Sequence, residues 1–229
     1  MNNALRWLRN RHVGQTCVIV ANGPSLNSTD FGLIRNEICF GLNKIYLGFA
    51  KFKFYPRYYV AVNELVLRQS LAEIAGLNCV KFLSRRASEL YQPDALTYLI
   101  NTTDPGPRFS MDISERVEEG WTVTHVALQI AYYMGFKKVV IVGLDHRFEF
   151  TGSANEQHML AGADKNHFSE EYFGYGQQWN NPDLERSEES FLETKAVFEA
   201  DGREILDATV GGACKIFVKC DLKKALIKS

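Results

Sequence analysis

No stretch of the sequence approaches the roughly 18 uncharged apolar residues that a membrane-spanning helix requires. The N-terminal MNNALRWLRNRHVGQT carries cations but lacks the apolar middle of a signal peptide. These absences predict a cytoplasmic protein with at most a peripheral membrane contact. An excess of one charge is also missing: 26 Lys and Arg stand against 27 Asp and Glu, a formal net charge of -1. Phosphate attraction of the kind that drives nucleic-acid binding is excluded on that balance, and no nucleic-acid partner is expected. Five cysteines include no CxxC pair, and Cys17, Cys39 and Cys79 sit inside apolar runs, so reduced core thiols are expected in place of a zinc site or disulfide framework. GxGxxG, GxxxxGK[ST] and DxD are all absent.

What is present is an α/β pattern. With 229 residues, 46% of them hydrophobic, the chain can bury a full core as a single domain over 1–229. Short apolar runs recur at 16–21, 38–42, 58–62, 79–84, 96–100 and 138–143. Several are continuous, as strands covered on both faces are. Helix-like segments at 65–75, 122–135 and 183–200 lie between them, and the order predicts a mostly parallel sheet with helices on both faces. Residues 145–182 differ in kind. Rich in aromatics, Gly, Asn and His and without a sustained period, they read as a long lid that starts just after the strand at 138–143.

The first strand breaks into Asn22-Gly23-Pro24-Ser25, a turn that can deliver backbone N–H groups to an anion at a sheet edge. An ordinary strand-to-helix turn uses the same residue types. Asn43 and Asn63 also stand directly after apolar runs, so three neutral amides can converge on one edge, the competing role being helix N-capping. Asp145, His146 and Arg147 open the lid at another strand end. His167, among the aromatics Tyr172, Tyr175 and Trp179, is a candidate general base, with His158 a weaker one and His125 read as structural. Asp145 and His146 together with Asp164 can be read as metal ligands, especially for Mg²⁺ on a diphosphate, but no obligatory metal is expected. The tail DLKKALIKS reads as a short basic amphipathic helix.

In order, a strand ending in NGPS, one ending in LN, one ending in VN, a Thr-rich helix start, a helix ending in GF and a strand ending in GLD resemble the family 42 bacterial sialyltransferases. The same order is similar to a related group holding the motility-associated nonulosonate transferases and archaeal 6-hydroxymethylpterin diphosphokinases. The resemblance covers about residues 16–218. It implies a modified nucleotide-binding, Rossmann-like fold holding a CMP-sugar, with Asn22, Gly23, Pro24, Ser25, Asn43, Asn63, Thr122 and Asp145 around the nucleotide. It further implies His167 as base, and His146, Tyr172 and Tyr175 toward the acceptor. Two departures stand out: Gly120 replaces an arginine two positions before the threonine, and Arg147 replaces a tyrosine after the GLD aspartate, so Arg147 is expected to neutralise the phosphate. The implied activity is transfer of a nonulosonate-type sugar from a CMP-sugar donor to a saccharide acceptor, with no cofactor required and a homo-oligomer allowed. The alternatives are an Mg-dependent diphosphokinase acting on 6-hydroxymethylpterin with ATP, and an inactive nucleotide-binding module.

Overall fold

The structure is a computed structural model that describes residues 3–90, 92–103, 106, 108–159, 162–173 and 176–227. Twelve strands occur among them: β1 (Thr16–Val20), β2 (Ile38–Leu42), β3 (Tyr58–Ala61), β4 (Val80–Ser84), β5 (Thr97–Ile100), β6 (Thr102–Thr103), β7 (Val117–Glu118), β8 (Lys138–Val142), β9 (Gln157–Met159), β10 (Gln178–Asn180), β11 (Glu204–Asp207) and β12 (Val218–Lys219). The α-helices are α1 (Asn3–Arg6), α2 (Phe49–Phe52), α3 (Glu64–Gln69), α4 (Leu71–Ala75), α5 (Val123–Tyr133), α6 (Leu184–Ala200) and α7 (Leu222–Ala225).

Eight strands form one sheet in the order β12-β11-β8-β1-β2-β3-β4-β5, and every neighbouring pair is parallel. The continuous apolar runs follow from this. A parallel strand buried on both faces has no solvent side to mark with polar residues. Along β1, Cys17 and Ile19 enter one core with Val126 and Ile130 of α5 and Phe191 and Phe198 of α6. Val18 and Val20 enter the other with Leu67 of α3, Ile74 of α4 and the lid residues Phe168 and Tyr172. Helices thus cover both faces, as expected.

The chain runs outward from β1 through β5, then returns to place β8 on the other side of β1. Strand order reverses at the β1/β8 boundary, and Val20 pairs with both Gly41 and Val142 there. The carboxyl ends of β1, β2 and β8 therefore stand level around a switch point, the place where open α/β sheets leave a crevice.

Two expectations change in detail. The helix read over 65–75 is two helices broken at Ser70, whose backbone leaves the helical region at φ -130°, ψ 25°. The lid is not an aperiodic flap: β9 and β10 pair antiparallel, and Phe168, Tyr172, Phe173 and Trp179 are buried in the second core. In α7, Leu222 and Ala225 are buried and Lys223 and Lys224 exposed, so the apolar face of the basic tail is spent on the domain itself. All five cysteines are free. Among the described residues no helix is long and apolar enough to cross a membrane.

Candidate functional site

A cavity of about 710 Å³ opens at the switch point between the sheet edge, the start of α5 and the lid. Of the residues singled out in the sequence, Asn22, Gly23, Asn43, Asn63, Thr122, Asp145, His146, His167 and Tyr172 line it. Pro24, Ser25 and Arg147 lie off its wall, and Tyr175 lies outside the described residues.

The turn after β1 meets an anion, and the anion is the protein's own. Asp145 Oδ1 accepts the Ser25 N–H at 3.1 Å and Oδ2 accepts the Ser25 hydroxyl at 2.5 Å. The Gly23 N–H is spent on Gly143 O at 2.9 Å, and Pro24 has no N–H to offer. The expectation that this turn cradles a phosphate with backbone donors is thereby corrected. The Gly23 and Ser25 N–H groups are satisfied internally, and a carboxylate already occupies the place. Gly23 is required for that packing, because a β-carbon there would overlap the Asp145 carboxyl group.

The three asparagines divide. Asn63 is an N-cap, its Oδ1 accepting the Val66 N–H at 3.2 Å at the start of α3. Asn22 and Asn43 do not cap. Asn22 Nδ2 donates to Leu42 O at 3.0 Å and ties β1 to β2, while its Oδ1 is buried without a partner among the described residues. Asn43 sits at φ 44°, and its Oδ1 is likewise buried and unpartnered. Trp121, His146 and Asn155 on the same wall also hold positive φ, at 64°, 51° and 65°. Non-glycine residues in that region carry strain of about 1–3 kcal/mol each where the surroundings enforce it, and such strain concentrates at functional sites.

On the lid, His167 Nδ1 lies 2.8 Å from Asp164 Oδ2, and the imidazole stacks on Tyr172 with centroids 3.8 Å apart and 1° between the planes. Asp164 is buried and also accepts the N–H groups of Asn166 and Phe173. A carboxylate behind Nδ1 fixes the tautomer with its proton there and leaves Nε2 as the ring's acceptor. Both carboxylates assigned to Mg²⁺ under the alternative reading are thus committed, Asp145 to Ser25 and Asp164 to His167, and this pair does not fit a metal.

Lys44, which sequence reasoning missed, fastens this assembly to the sheet. Its side chain is buried, and Nζ donates to Tyr172 O at 2.9 Å and Gln177 Oε1 at 2.6 Å. It also lies 4.9 Å from the Phe173 ring centroid. Burial lowers its pKa from 10.5 to about 8. Burial likewise pushes the Tyr172 phenol up, so its hydroxyl stays neutral.

Thr122 caps α5, its Oγ1 accepting the Thr124 N–H at 3.3 Å, and the first turn of this helix faces the cavity. The helix N-terminus supplies roughly half a positive charge. The arginine that the resemblance leads one to expect at position 120 has no room. Gly120 holds φ 57°, and a β-carbon there would overlap His125, which is wedged between Thr194 Oγ1 at 2.7 Å and Arg108 O at 3.0 Å. Burial drops the His125 pKa to about 4, which makes it a neutral structural residue. Arg147 does not take over, because it is exposed; the left-handed turn at His146 puts that imidazole in the wall, 2.9 Å from Glu188 Oε1. The wall's own arginines are Arg68 and Arg86, paired with Glu64 at 2.8 Å and Glu119 at 3.0 Å. No single-residue signal marked Lys44, Trp121 or Arg86; each becomes visible only once β2, the start of α5 and β4 are brought together.

One solved structure, that of the MAf glycosyltransferase from Magnetospirillum magneticum AMB-1, superposes with a TM-score of 0.58 at 14% identity over 94% of this chain and 35% of that one. The likeness is one of fold, and the chain spans about a third of that protein's length. No curated protein matches. The sequence model described as 6-hydroxymethylpterin diphosphokinase MptE-like matches residues 2–150, the sheet half that carries Asn22, Asn43, Asn63, Thr122 and Asp145. On that match over more than half of its length, the chain belongs to the 6-hydroxymethylpterin diphosphokinase MptE-like family.

Proposed function

We propose that the cavity binds a CMP-linked acidic sugar and that the protein transfers the sugar to a saccharide hydroxyl. The observation that carries this reading is the Asp164–His167 pair held over a switch-point cavity by the lid. His167 Nε2 takes the proton of the acceptor hydroxyl, the acceptor oxygen forms the new bond at the anomeric carbon, and the sugar–phosphate bond breaks with its electron pair leaving on CMP. Asp164 stabilises the imidazolium so formed. In this reading the departing monophosphate lies at the N-terminus of α5 beside Thr122, where the helix dipole and the Val123 N–H favour negative charge, the Thr124 and His125 N–H groups being taken by Thr122. His146, oriented by Glu188, is the remaining candidate on the wall for contact with the charged groups of the donor.

A second reading follows from the family's name: an ATP-dependent diphosphokinase acting on a hydroxymethylpterin at the same edge. It is favoured by the extent of the family match, which stops at residue 150 and leaves His167 outside. Calorimetric titration with CMP and with ATP, each with and without Mg²⁺, separates the two. Metal-independent CMP binding is the expected result; Mg²⁺-dependent ATP binding with CMP silent would replace the transferase reading by the kinase. CMP binding without hydrolysis or transfer of any CMP-sugar would leave a nucleotide-binding module.

A further inference from the structure

Two amide oxygens on the cavity wall, Asn22 Oδ1 on the sheet edge and Asn181 Oδ1 on the lid, are buried and take no hydrogen bond among the described residues. Their residues are 8% and 1% exposed. Neither amide is free to turn over. Asn22 Nδ2 donates to Leu42 O, and Asn181 Nδ2 lies 2.8 Å from Thr151 O and 2.9 Å from Ser153 O, with His158 Nε2 at 3.1 Å. A flip would set oxygen against carbonyl oxygen. Buried acceptors without donors are rare in folded proteins because each forfeits its hydration, so a wall that keeps these two beside the Asn43 Oδ1 already described is built for a ligand that brings O–H or N–H groups.

The surroundings of Asn181 narrow the ligand further. Asn181 O accepts the Asn155 N–H, Asn155 Nδ2 donates to Asp183 Oδ2 at 3.0 Å, and Asp183 caps α6 through the Arg186 N–H. The Arg186 guanidinium in turn lies 4.6 Å from the centroid of the Trp121 ring. These contacts join Asn181 and Trp121 into one wall. The Asn155 and Asn181 amide N–H groups are directed at protein acceptors, which leaves Asn181 Oδ1 as the unpartnered polar atom here, and Trp121 adds a flat aromatic surface. Phosphate oxygens, which are acceptors themselves, find no partner at Asn181.

We infer that the wall around Asn181 and Trp121 is a subsite for an uncharged, hydroxyl-rich ring, that is, a sugar. Its hydroxyls donate to Asn181 Oδ1 and its C–H face packs on the Trp121 indole. The identification of this sugar as the acceptor rests on the transferase reading; the subsite itself does not.

The chain has three tryptophans, Trp7, Trp121 and Trp179, so ¹⁵N-indole labelling gives three resonances, assignable by Trp→Phe substitution. Trp7 is 82% exposed and off the cavity wall, and it serves as the internal control. The probes are the methyl glycosides of galactose, glucose and N-acetylglucosamine, titrated separately, each beside its fully O-methylated ether. The ether keeps the ring and its acceptors but has lost its O–H donors. At least one free glycoside is expected to shift the Trp121 resonance saturably with Trp7 unmoved, and its ether to bind at least about tenfold more weakly. Equal response to glycoside and ether, equal movement of Trp7, or no movement of Trp121 with any glycoside would overturn the subsite. A parallel CMP titration keeps the two ideas apart. A sugar response with CMP silent overturns the transferase reading and leaves the subsite standing; a CMP response with no sugar response does the reverse.

Discussion

Gly23 and Asp145 share one space: the carboxyl group of Asp145 lies where a β-carbon on residue 23 would have to be, and from there it takes both the N–H and the hydroxyl of Ser25. The glycine of the NGPS turn and the aspartate of GLD, far apart in sequence, are therefore a single device that locks β1 to β8 at the switch point. Gly23→Ala is expected to destabilise the fold by about 1–3 kcal/mol through overpacking, a fall in Tm of roughly 2–4 °C per kcal/mol for a chain of this size. In Gly23→Ala/Asp145→Ala the overlap with the carboxyl group is gone and only the closer-than-normal Cβ contact at 2.8 Å remains, so the double variant should be more stable than the sum of the single effects. Additive losses in calorimetric melts would show that the two residues do not compete for space.

The His167–Asp164 pair leads to a prediction about rate. His167→Ala should lower turnover of a CMP-sugar by roughly 10²–10⁴-fold while CMP affinity stays within about twofold. Asp164→Asn should lose most of the same factor, since an amide that presents its oxygen to Nδ1 no longer stabilises the imidazolium. Asp164 also anchors the lid through Asn166 and Phe173, so circular dichroism and the tryptophan emission of this variant must match the parent. Equal losses in turnover and CMP affinity for His167→Ala would assign the histidine to binding.

How much of this was readable in the sequence depends on distance along the chain. The sheet was legible because TCVIV, ICFGL and KVVIV lie inside a layer buried on both faces, where the apolar run is the structure's own imprint. Asn22, Asn43 and Asn63 were legible as strand-end residues, and the capping role of Asn63 was foreseen as one option. The anion at the NGPS turn was not, because Ser25 and Asp145 are 120 residues apart and only the β1/β8 pairing brings them together. Lys44 was hidden for a related reason: a lysine after a strand normally reads as solvated, and its burial depends on a lid that returns to the sheet 128 residues later.

Lys44 gives the lid a pH signature. Burial lowers its pKa from 10.5 to about 8, so between these values the unfolded chain holds a proton that the folded one has released, and stability must rise with pH across that window. Below about pH 8 both states are protonated and the term is flat. The thiols of Cys17 and Cys39, both buried, and of half-buried Cys79 act in the opposite sense, because their pKa values are raised and the unfolded chain ionises first. The clean measure is therefore the difference between the parent and Lys44→Met in urea denaturation. From pH 8 to 10 this difference should move in favour of the parent, and a flat difference would mean that Lys44 is not desolvated in solution.

Arg147 was expected to meet a phosphate, and its exposed position off the cavity wall leads to the opposite expectation. Arg147→Ala should leave CMP affinity within about twofold, the usual scatter for a surface change remote from the ligand. His146→Gln, by contrast, alters the wall itself and cuts the link to Glu188, so it should weaken CMP binding. A calorimetric result with the two effects exchanged would put Arg147 back at the nucleotide.

Position 120 tests whether the missing arginine can be restored. Gly120→Arg would supply the cation that the resemblance leads one to expect beside Thr122, and simple motif matching predicts tighter binding of an anionic donor. The structure predicts the reverse. Residue 120 holds φ 57°, where a side chain costs about 1–2 kcal/mol, and its β-carbon would displace His125 from Thr194 and Arg108 O, breaking the tie between α5 and α6. The variant should therefore melt several degrees lower and bind CMP no better than the parent. Should it retain its Tm and gain affinity, His125 must have an alternative rotamer that keeps both hydrogen bonds or does without them. A Gly120→Ala control would then decide the matter, because it carries the same β-carbon without the charge: a destabilised alanine beside a stable arginine would mean that the guanidinium finds a compensating partner in the cavity, where the Glu119 carboxylate already pairs with Arg86.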